Sequence, residues 1–343
     1  MKTYISVPSP KKYSSWLFLG GVLLVLGAVA PVLNPYYLRV MTMGLMFGYL
    51  AASWNIIGGY AGQMSLGHAI FFGVGSYSVG VLATHSQLPL ILGIPIAVVV
   101  SGAIAWCVAA VCFRYALKGI YFAVGTLLLA EIARIVVLNS EFFGRSQGLQ
   151  VSPGSGALSF TFSTDLPFFY IFLAMSAALI LFVQWLSASR FGYAMVALRE
   201  QEDAAQALAI DVIRIKRSAF LISGILTSVA GVIYAGMIRF VEPGYDLSLS
   251  VVLMMVMGAV LGGRGTVWGP FVGGVLVILV QEILVTIGSI VGTTSISALA
   301  QMVYGLFFVV VLIAFPRGIV GEILARRADK HAALSFKNQE QRK

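Results

Sequence analysis

Charged side chains are scarce in this chain. Aspartate, glutamate, lysine and arginine make up 10% of its 343 residues, whereas apolar residues make up 59%. A soluble domain carries about a quarter charged residues, so this composition excludes soluble domains and indicates a polytopic membrane protein. Long apolar runs such as 251–261 and 306–315 do not alternate with polar residues. They therefore predict membrane-spanning helices rather than a membrane β-barrel.

Cysteine is nearly absent, and a nucleotide-binding motif is missing altogether. Cys107 and Cys112 fall in one apolar run, where a disulfide within a helix is geometrically poor, so we interpret them as core thiols. No glycine-rich loop followed by Gly-Lys-Ser or Gly-Lys-Thr occurs in the chain. The stretch Gly262–Gly265 therefore predicts a tight turn between spans. Any dependence on ATP has to come from a partner.

Catalytic chemistry is also missing from the sequence. It shows no nucleophile–base pair at motif spacing and no cluster of metal ligands, so we predict no enzyme activity, no metal and no cofactor in this chain. The net charge of +9 comes from loops and the C-terminal tail. Membrane topology explains that charge better than nucleic-acid binding does, and we predict no nucleic-acid partner.

The apolar runs predict an all-α protein with about ten transmembrane helices within residues 16–315. The predicted spans are Trp16–Leu33, Val40–Ile57, a third from the following glycine-rich stretch to about Thr84, Pro89–Phe113, Ile120–Leu138, Phe168–Leu186, Ala219–Ile238, Ser250–Leu261, Trp268–Ile287 and Ala298–Phe315. The first run could be a cleaved signal peptide, but its length and Pro31 directly after the small-residue site favour an uncleaved span.

The basic residues predict which side each connection occupies. All but four of the 22 lysines and arginines fall on one side of the predicted bundle, the exceptions being Arg39, Arg134, Arg145 and Arg239. The positive-inside rule then makes the N-terminal tail 1–15, the segment 188–218 and the basic tail 316–343 cytoplasmic. The segment 139–167 is predicted to be extracytoplasmic.

The polar stretch Arg190–Arg217 separates two apolar halves. Its alanines and long side chains favour helix, and Gly192 together with the β-branched residues after Ala209 predicts two short helices with a break between them. Two interpretations remain open from the residues alone. The stretch is either a solvated loop that sets topology or a docking surface for a partner.

Polar residues within the spans are candidate functional groups. The uncharged, glycine-rich stretch Gly58–His68 starts the third span, and irregular backbone at that depth must be buried or line a cavity. Gln63, Ser65 and His68 therefore either pack a helix start or line a translocation path, for which Tyr77 is a further weakly polar candidate.

Two further sites carry charge inside predicted spans. Glu131 and Arg134 lie three residues apart on one helical face and are predicted to pair, within the bundle rather than in contact with substrate. Glu282 is a lone carboxylate in the ninth span, where it could face a partner or the path.

Four stretches carry a family resemblance. They are G-x-x-G-Q-M-S-L-G-H-A-x-F-F-G-x-G-S-Y at Gly59–Tyr77, G-I-Y-F-A-x-x-T-L-x-x-x-E-I-x-R at Gly119–Arg134, A-L-R-E-Q-E-D-A-A-Q-A-L-A-I-D at Ala197–Asp211 and G-G-R-G-T-V-W-G-P at Gly262–Pro270. In order and spacing they resemble the LivM-type permease subunits of ABC transporters for branched-chain amino acids.

The resemblance implies a permease bundle in the bacterial inner membrane. It implies a second, related permease subunit, two ATP-binding subunits that supply the ATP site, and an extracytoplasmic solute-binding protein. Branched-chain amino acids are the implied substrate, with urea, short amides or aromatic acids as alternatives for the same kind of permease. A secondary transporter driven by protons through His68, Glu131 or Glu282 and a membrane-embedded enzyme are the other classes considered.

The resemblance also implies that the cytoplasmic stretch couples to the ATP-binding subunits. The implied coupling residues are Arg199, Glu200, Glu202, Asp203, Ala204, Ala205 and Ala209. The family usually reads Glu-Ala-Ala where Asp203 begins the motif, and Gly where Ala209 stands. If that glycine has positive φ, alanine there costs about 1 kcal/mol or forces another turn. In the outer segment, Arg145 and Gln147 replace the usual glycine and aspartate.

Overall fold

The computed structural model describes residues 21, 25–86, 89–115, 117–151, 162, 164–291, 305–306, 310 and 318–322. The first predicted span is therefore described only in its second half, and the tenth only at residues 305–306 and 310. Both predicted tails lie outside the described residues, apart from 318–322. The number of ten spans stays a prediction.

Helices make up nearly all of the described chain. They are α1 (Pro35–Asn55), α2 (His68–His85), α3 (Gly93–Arg114), α4 (Ile120–Asn139), α5 (Leu166–Ser187), α6 (Arg190–Glu200), α7 (Glu202–Ala207), α8 (Val212–Ile238), α9 (Pro243–Asp246), α10 (Leu249–Gly262) and α11 (Gly269–Val291). A π-helical turn, Ile56–Tyr60, extends α1. The short strands β1 (Leu149–Gln150) and β2 (Phe240–Val241) pair antiparallel.

Seven of the described helical segments are long and apolar enough to cross a membrane. They are Pro35–Tyr60, Leu90–Arg114, Ile120–Asn139, Leu166–Ser187, Val212–Ile238, Pro243–Gly262 and Gly269–Thr286. The predicted all-α membrane bundle is therefore confirmed. The short eighth span reaches membrane length because α9 precedes α10 in the same segment. The second begins earlier than predicted because Asn34 caps the amide of Tyr36 and Pro35 occupies the first turn.

The helix α2 is not among those seven, although it lies in the interior of the bundle. Glycines, serines, a tyrosine and a histidine at each end reduce its apolar character, and most of its residues are buried by other helices. It packs closely on α8 through small residues. A Cβ on Gly75 would lie 2.0 Å from the carbonyl oxygen of Ser228, and one on Gly231 would lie 2.2 Å from that of Phe72. Such contacts are typical of helices packed in lipid.

The short helices α6 and α7 lie at one end of the bundle, and the strand pair β1–β2 lies at the opposite end. The helices α6 and α7 meet the glycine-rich stretch after α1, since Arg199 binds the carbonyl of Gly59, and they meet the start of α4 through the Lys118–Glu202 ion pair. The strand pair β1–β2 lies at the far end of α8, a helix of 27 residues and thus about 40 Å long. This separation agrees with the predicted topology, while the side that each end faces stays a prediction.

The turn after α7 contains a residue with left-handed backbone. Ala209, which stands where the resembling family has glycine, has φ +59° and an exposed side chain. Its short side chain has no buried contact to lose. A substitution at this position therefore reports mainly on backbone strain.

We predict that Ala209→Gly raises the unfolding midpoint slightly and that Ala209→Val lowers it. Relief of positive φ is worth about 1–2 kcal/mol, offset in part by about 0.5–1 kcal/mol of added unfolded-state entropy, and a β-branched side chain is least tolerated there. Thermal denaturation of the purified protein in detergent measures both. Equal midpoints for the two variants would show that the turn has another conformation in solution.

Candidate functional site

The backbone between α1 and α2 is irregular, and hydrogen bonds from within the stretch and from other parts of the chain support it. The amide of Gln63 donates to the carbonyl of Ile57 at 2.9 Å. The indole of Trp54 donates to the carbonyl of Ser65 at 2.8 Å, and the amide of Leu66 donates to the Thr126 hydroxyl on α4 at 3.1 Å. Because buried backbone groups need partners at membrane depth, these contacts are what permit the break.

His68 lies at the centre of a buried hydrogen-bonded chain. The amide of Gly67 donates to Ser65 Oγ at 3.3 Å, and Ser65 Oγ lies 3.1 Å from His68 Nδ1. On the other side of the ring, Nε2 lies 2.8 Å from Ser223 Oγ, which donates to the carbonyl of Ser53 at 2.7 Å. Since the Ser223 proton is directed to that carbonyl, its oxygen accepts from Nε2–H, and Nδ1 accepts from Ser65. The geometry fits a neutral imidazole that joins α1, α2 and α8.

The structure brings only two of the four candidate path residues into contact with each other. Ser65 and His68 are fully buried and bound to each other, whereas Tyr77 lies roughly 14 Å further along α2 with its ring against Phe143. Gln63 and Tyr77 are also more than nine-tenths buried. Within the described part of the chain, Gln63 Oε1 and the Tyr77 hydroxyl have no hydrogen-bond partner. Their role in a path stays a prediction.

The predicted Glu131–Arg134 pair is formed, but on the outward face of α4 rather than inside the chain. Arg134 Nε lies 3.1 and 3.0 Å from the two carboxylate oxygens of Glu131. The side chains are 46% and 30% exposed for Glu131 and Arg134. The span that carries them is only 22% buried, the smallest share among the seven described spans. Elsewhere, Glu282 is not isolated, because the Tyr36 hydroxyl donates to it.

The stretch Arg190–Arg217 contains two short helices, α6 and α7, as predicted, and the break between them lies at Gln201. Ser189 caps the amide of Gly192 at the start of α6, and Asp211 caps the amide of Arg214 at the start of α8. These caps are the local sequence signals that define the segment's ends, since each satisfies an amide that the helix leaves free.

Glu202 anchors these helices to the membrane bundle. Its carboxylate lies 2.9 Å from Lys216 Nζ and 3.4 Å from Lys118 Nζ. Lys216 itself is buried, with Nζ 5.7 Å from the centre of the Phe113 ring. Burial by itself would raise the pKa of Glu202, but the hydrogen bond and charge of Lys216, helped by Lys118, hold the pKa of that carboxyl below its usual value. This contribution to stability is present above the unfolded-state pKa and is lost only as the pH falls through the lowered folded-state value.

The predicted coupling residues differ in the direction they face. Glu200, Asp203, Ala204 and Ala209 are exposed, and Ala205 is buried against the chain itself. Glu202 and Arg199 reach back to the membrane bundle. Sequence reasoning missed Lys216 and Asn55 as parts of this site. Asn55 ends an apolar helix, and Lys216 is one of several basic residues near the start of α8, so each gives only a weak signal in a single sequence.

Comparison with known proteins identifies one family and several relatives. Residues 36–312 match the family described as branched-chain amino acid transport system / permease component. The chain is 28% identical to the high-affinity branched-chain amino acid transport system permease protein LivM of Salmonella typhimurium, over 78% of this chain and 68% of that protein.

A second permease protein of the same kind and one of a different import system are also similar. The chain is 26% identical to LivH of Salmonella typhimurium, over 83% of this chain and 96% of that protein. It is 28% identical to the autoinducer 2 import system permease protein LsrC of Enterobacter, over 77% of each protein. No solved structure matches the chain.

We predict that Ser223→Ala destabilises the protein and that Ser101→Ala does not. The first change leaves His68 Nε2–H without a partner and removes one of the hydrogen bonds to the Ser53 carbonyl, which still accepts from the amide of Ile56, at about 1–3 kcal/mol. Ser101 is equally buried, but within the described chain its hydroxyl has no partner, so its removal is neutral or stabilising. Thermal denaturation in detergent compares them, and equal shifts would contradict the hydrogen-bonded chain.

Proposed function

Because the chain belongs to the family of permease components of branched-chain amino acid transport systems, we propose that it carries branched-chain amino acids inward as one of two permease subunits of an ATP-driven importer. The family is one of transport proteins rather than enzymes, and the seven apolar helices make the chain a multi-pass membrane protein. The resemblance to LivM-type permeases is confirmed by the family match. The amino-acid substrate is taken from the relatives' names, and urea, short amides or aromatic acids are the alternatives.

The observation that carries the ATP-driven mechanism is the exposed tip of α7. Ala204 and Leu208 are exposed there, and Leu208 is 76% accessible, although it lies in the most polar stretch of the chain. The Asp203 side chain beside them is 89% exposed. Ala204 and Leu208 form a small exposed apolar surface, called the knob below, with charged residues around it. Such a surface suits a cleft on another protein, and the surrounding charges determine the register of docking more than its affinity. We assign this knob to an ATP-binding subunit, of which the complete transporter has two.

The remaining assignments follow from charge and position. The excess of basic residues supports our assignment of α6, α7 and both termini to the cytoplasmic side of a bacterial inner membrane. The end that carries β1 and β2 then faces the extracytoplasmic solute-binding protein. Gln63, Ser65, His68 and Tyr77 remain our proposed path residues, supported by their uncharged polar groups within the bundle. Such weak groups suit a solute that must be released again, since both charged ends of a zwitterion need polar partners.

The outward face of α4 supports the presence of the second permease subunit. Glu131 lies about 16 Å from the start of the helix, which is near the middle of a bilayer core about 30 Å thick. An exposed ion pair at that depth is costly against lipid and is found facing protein or water. Val124, Leu128 and Ile135 extend the same exposed face. We therefore propose that this face of α4 adjoins the second permease subunit.

The proposed function predicts ATP-dependent leucine uptake that is lost in Leu208→Asp. The permease pair, ATP-binding subunits and binding protein are reconstituted in vesicles loaded with ATP. A buried carboxylate at the knob should reduce co-purification of the ATP-binding subunits at least tenfold, or about 1.4 kcal/mol, whereas Leu208→Met should bind normally. Uptake by the unaltered complex that requires a proton gradient instead of ATP would sink the proposal.

The proposed interface predicts a cross-linking pattern. The background is Cys107→Ala with Cys112→Ala, which removes both native thiols. A photoreactive maleimide attached at Leu128→Cys on α4 should cross-link to the second permease subunit. The same probe at Val99→Cys on α3, which is at least as exposed, should label lipid instead. Cross-links from position 99 and none from position 128 would place the partner on α3.

A further inference from the structure

Arg199 connects the cytoplasmic helices to the break between α1 and α2. It is the second-last residue of α6, and its Nη1 donates to the carbonyl of Gly59 at 2.9 Å. Its Nη2 lies 2.9 Å from the Glu200 carboxylate, and about a third of the side chain is exposed. The guanidinium therefore points back to the membrane bundle rather than away from it, unlike the exposed knob at Leu208.

Glycines make the room that this side chain occupies. A Cβ on Gly62, which has φ +69°, would lie 2.7 Å from Arg199 Cγ. A Cβ on Gly265, which has φ +75°, would lie 2.3 Å from Arg199 Nη1. Real Cβ atoms do not approach other atoms this closely, so any larger residue would displace the arginine. The glycine-rich stretches after α1 and α10 thus form two walls of one slot.

Asn55 joins those two walls on the far side of the slot. Its Oδ1 accepts from the amide of Gly265 at 2.8 Å, and its Nδ2 donates to the carbonyl of Thr266 at 3.1 Å. Asn55 is 1% exposed and forms the last residue of α1. Asn55 therefore links the end of α1 to the turn between α10 and α11, and Arg199 connects the end of α6 to the same region.

We propose that Arg199 transmits the movement of the ATPase-docking helices to the α1–α2 break, as a positioning residue for transport. The inference rests on the proposed ATP-driven function and adds the route of coupling to it. Force applied at the knob reaches α6 across the single break at Gln201, and Arg199 lies two residues before that break. From Gly59 and Gly62 the chain leads directly to Ser65, which binds His68, and His68 in turn binds Ser223 on α8.

Arginine has the shape that this role requires. Its rigid fork places one donor on the Gly59 carbonyl while another contacts Glu200, so rotation of α6 moves the attached backbone. A lysine ammonium keeps the charge but is a single flexible point with no fork. The two side chains should therefore differ in coupling more than in assembly.

The test compares Arg199→Gln, Arg199→Lys and a control in the reconstituted complex, measuring leucine uptake per ATP hydrolysed. In Arg199→Gln we expect full assembly, retained ATP hydrolysis and at least a tenfold lower ratio, with Arg199→Lys in between. The control is Arg214→Gln, an exposed arginine at the same end of the bundle whose ratio should not change. A normal ratio in Arg199→Gln overturns the proposal, and so does loss of the ATP-binding subunits, which would make Arg199 a docking residue.

A double-mutant comparison tests the slot itself. Gly62→Ala forces the Arg199 stem aside and should lower the ratio in the native background. In the Arg199→Ala background there is no Cγ to clash with. Gly62→Ala should therefore lower the ratio much less there than in the native background, because the two changes break the same contact. Fully additive losses would overturn the slot. The unaltered complex reports separately on the proposed function, since failure of its ATP-dependent uptake removes that function whatever the variants do.

Discussion

The need to satisfy backbone groups where α1 breaks before α2 determines much of this structure. Helices can cross lipid because their amides and carbonyls hydrogen-bond to each other within the helix. An irregular stretch needs hydrogen-bond partners for backbone groups that have none of this kind. Here the partners come from elsewhere: the Trp54 indole, the Thr126 hydroxyl on α4 and the Arg199 guanidinium on α6. The break is thus a point at which α4 and α6 both contact the chain that leads into α2.

This arrangement gives α4 two distinct faces. Its inner face supplies Thr126 to the break, and a Cβ on Gly67 would lie 2.6 Å from the Thr126 carbonyl oxygen, so the contact is close. Its outer face carries Glu131, five residues further along the same helix. A shift of α4 against a neighbouring subunit would therefore be felt at Gly67 and His68 within one or two helical turns. The helix α4 therefore carries the polar pair and contacts the break within five residues.

Local features were predictable from sequence, whereas long-range contacts were not. Hydrophobic runs predicted the spans, the spacing of Glu131 and Arg134 predicted their pair, and glycine content predicted irregular backbone before His68. The contact between Arg199 and Gly59 joins residues 140 positions apart, and nothing in either stretch indicates the other. The exposure of α4 could not be predicted either, because an apolar helix has the same sequence pattern whether lipid or protein covers it. Lys216 was unexpected because a buried lysine is tolerated only with a partner such as Glu202, which only the fold reveals.

Two positions where this chain departs from the residues usual in the resembling family have left-handed backbone. Ala209 and Arg145 stand where glycine is usual, and both have positive φ, at +59° and +52°. Both residues are exposed, so neither side chain meets a buried neighbour, and Arg145 also pairs with Glu141. At Gly62 and Gly265 the same exchange is blocked, because there the missing Cβ is the space that Arg199 fills. Where positive φ is the only constraint, a residue other than glycine costs about 1–2 kcal/mol of stability. Where the space of the missing Cβ is also filled by another side chain, glycine is required.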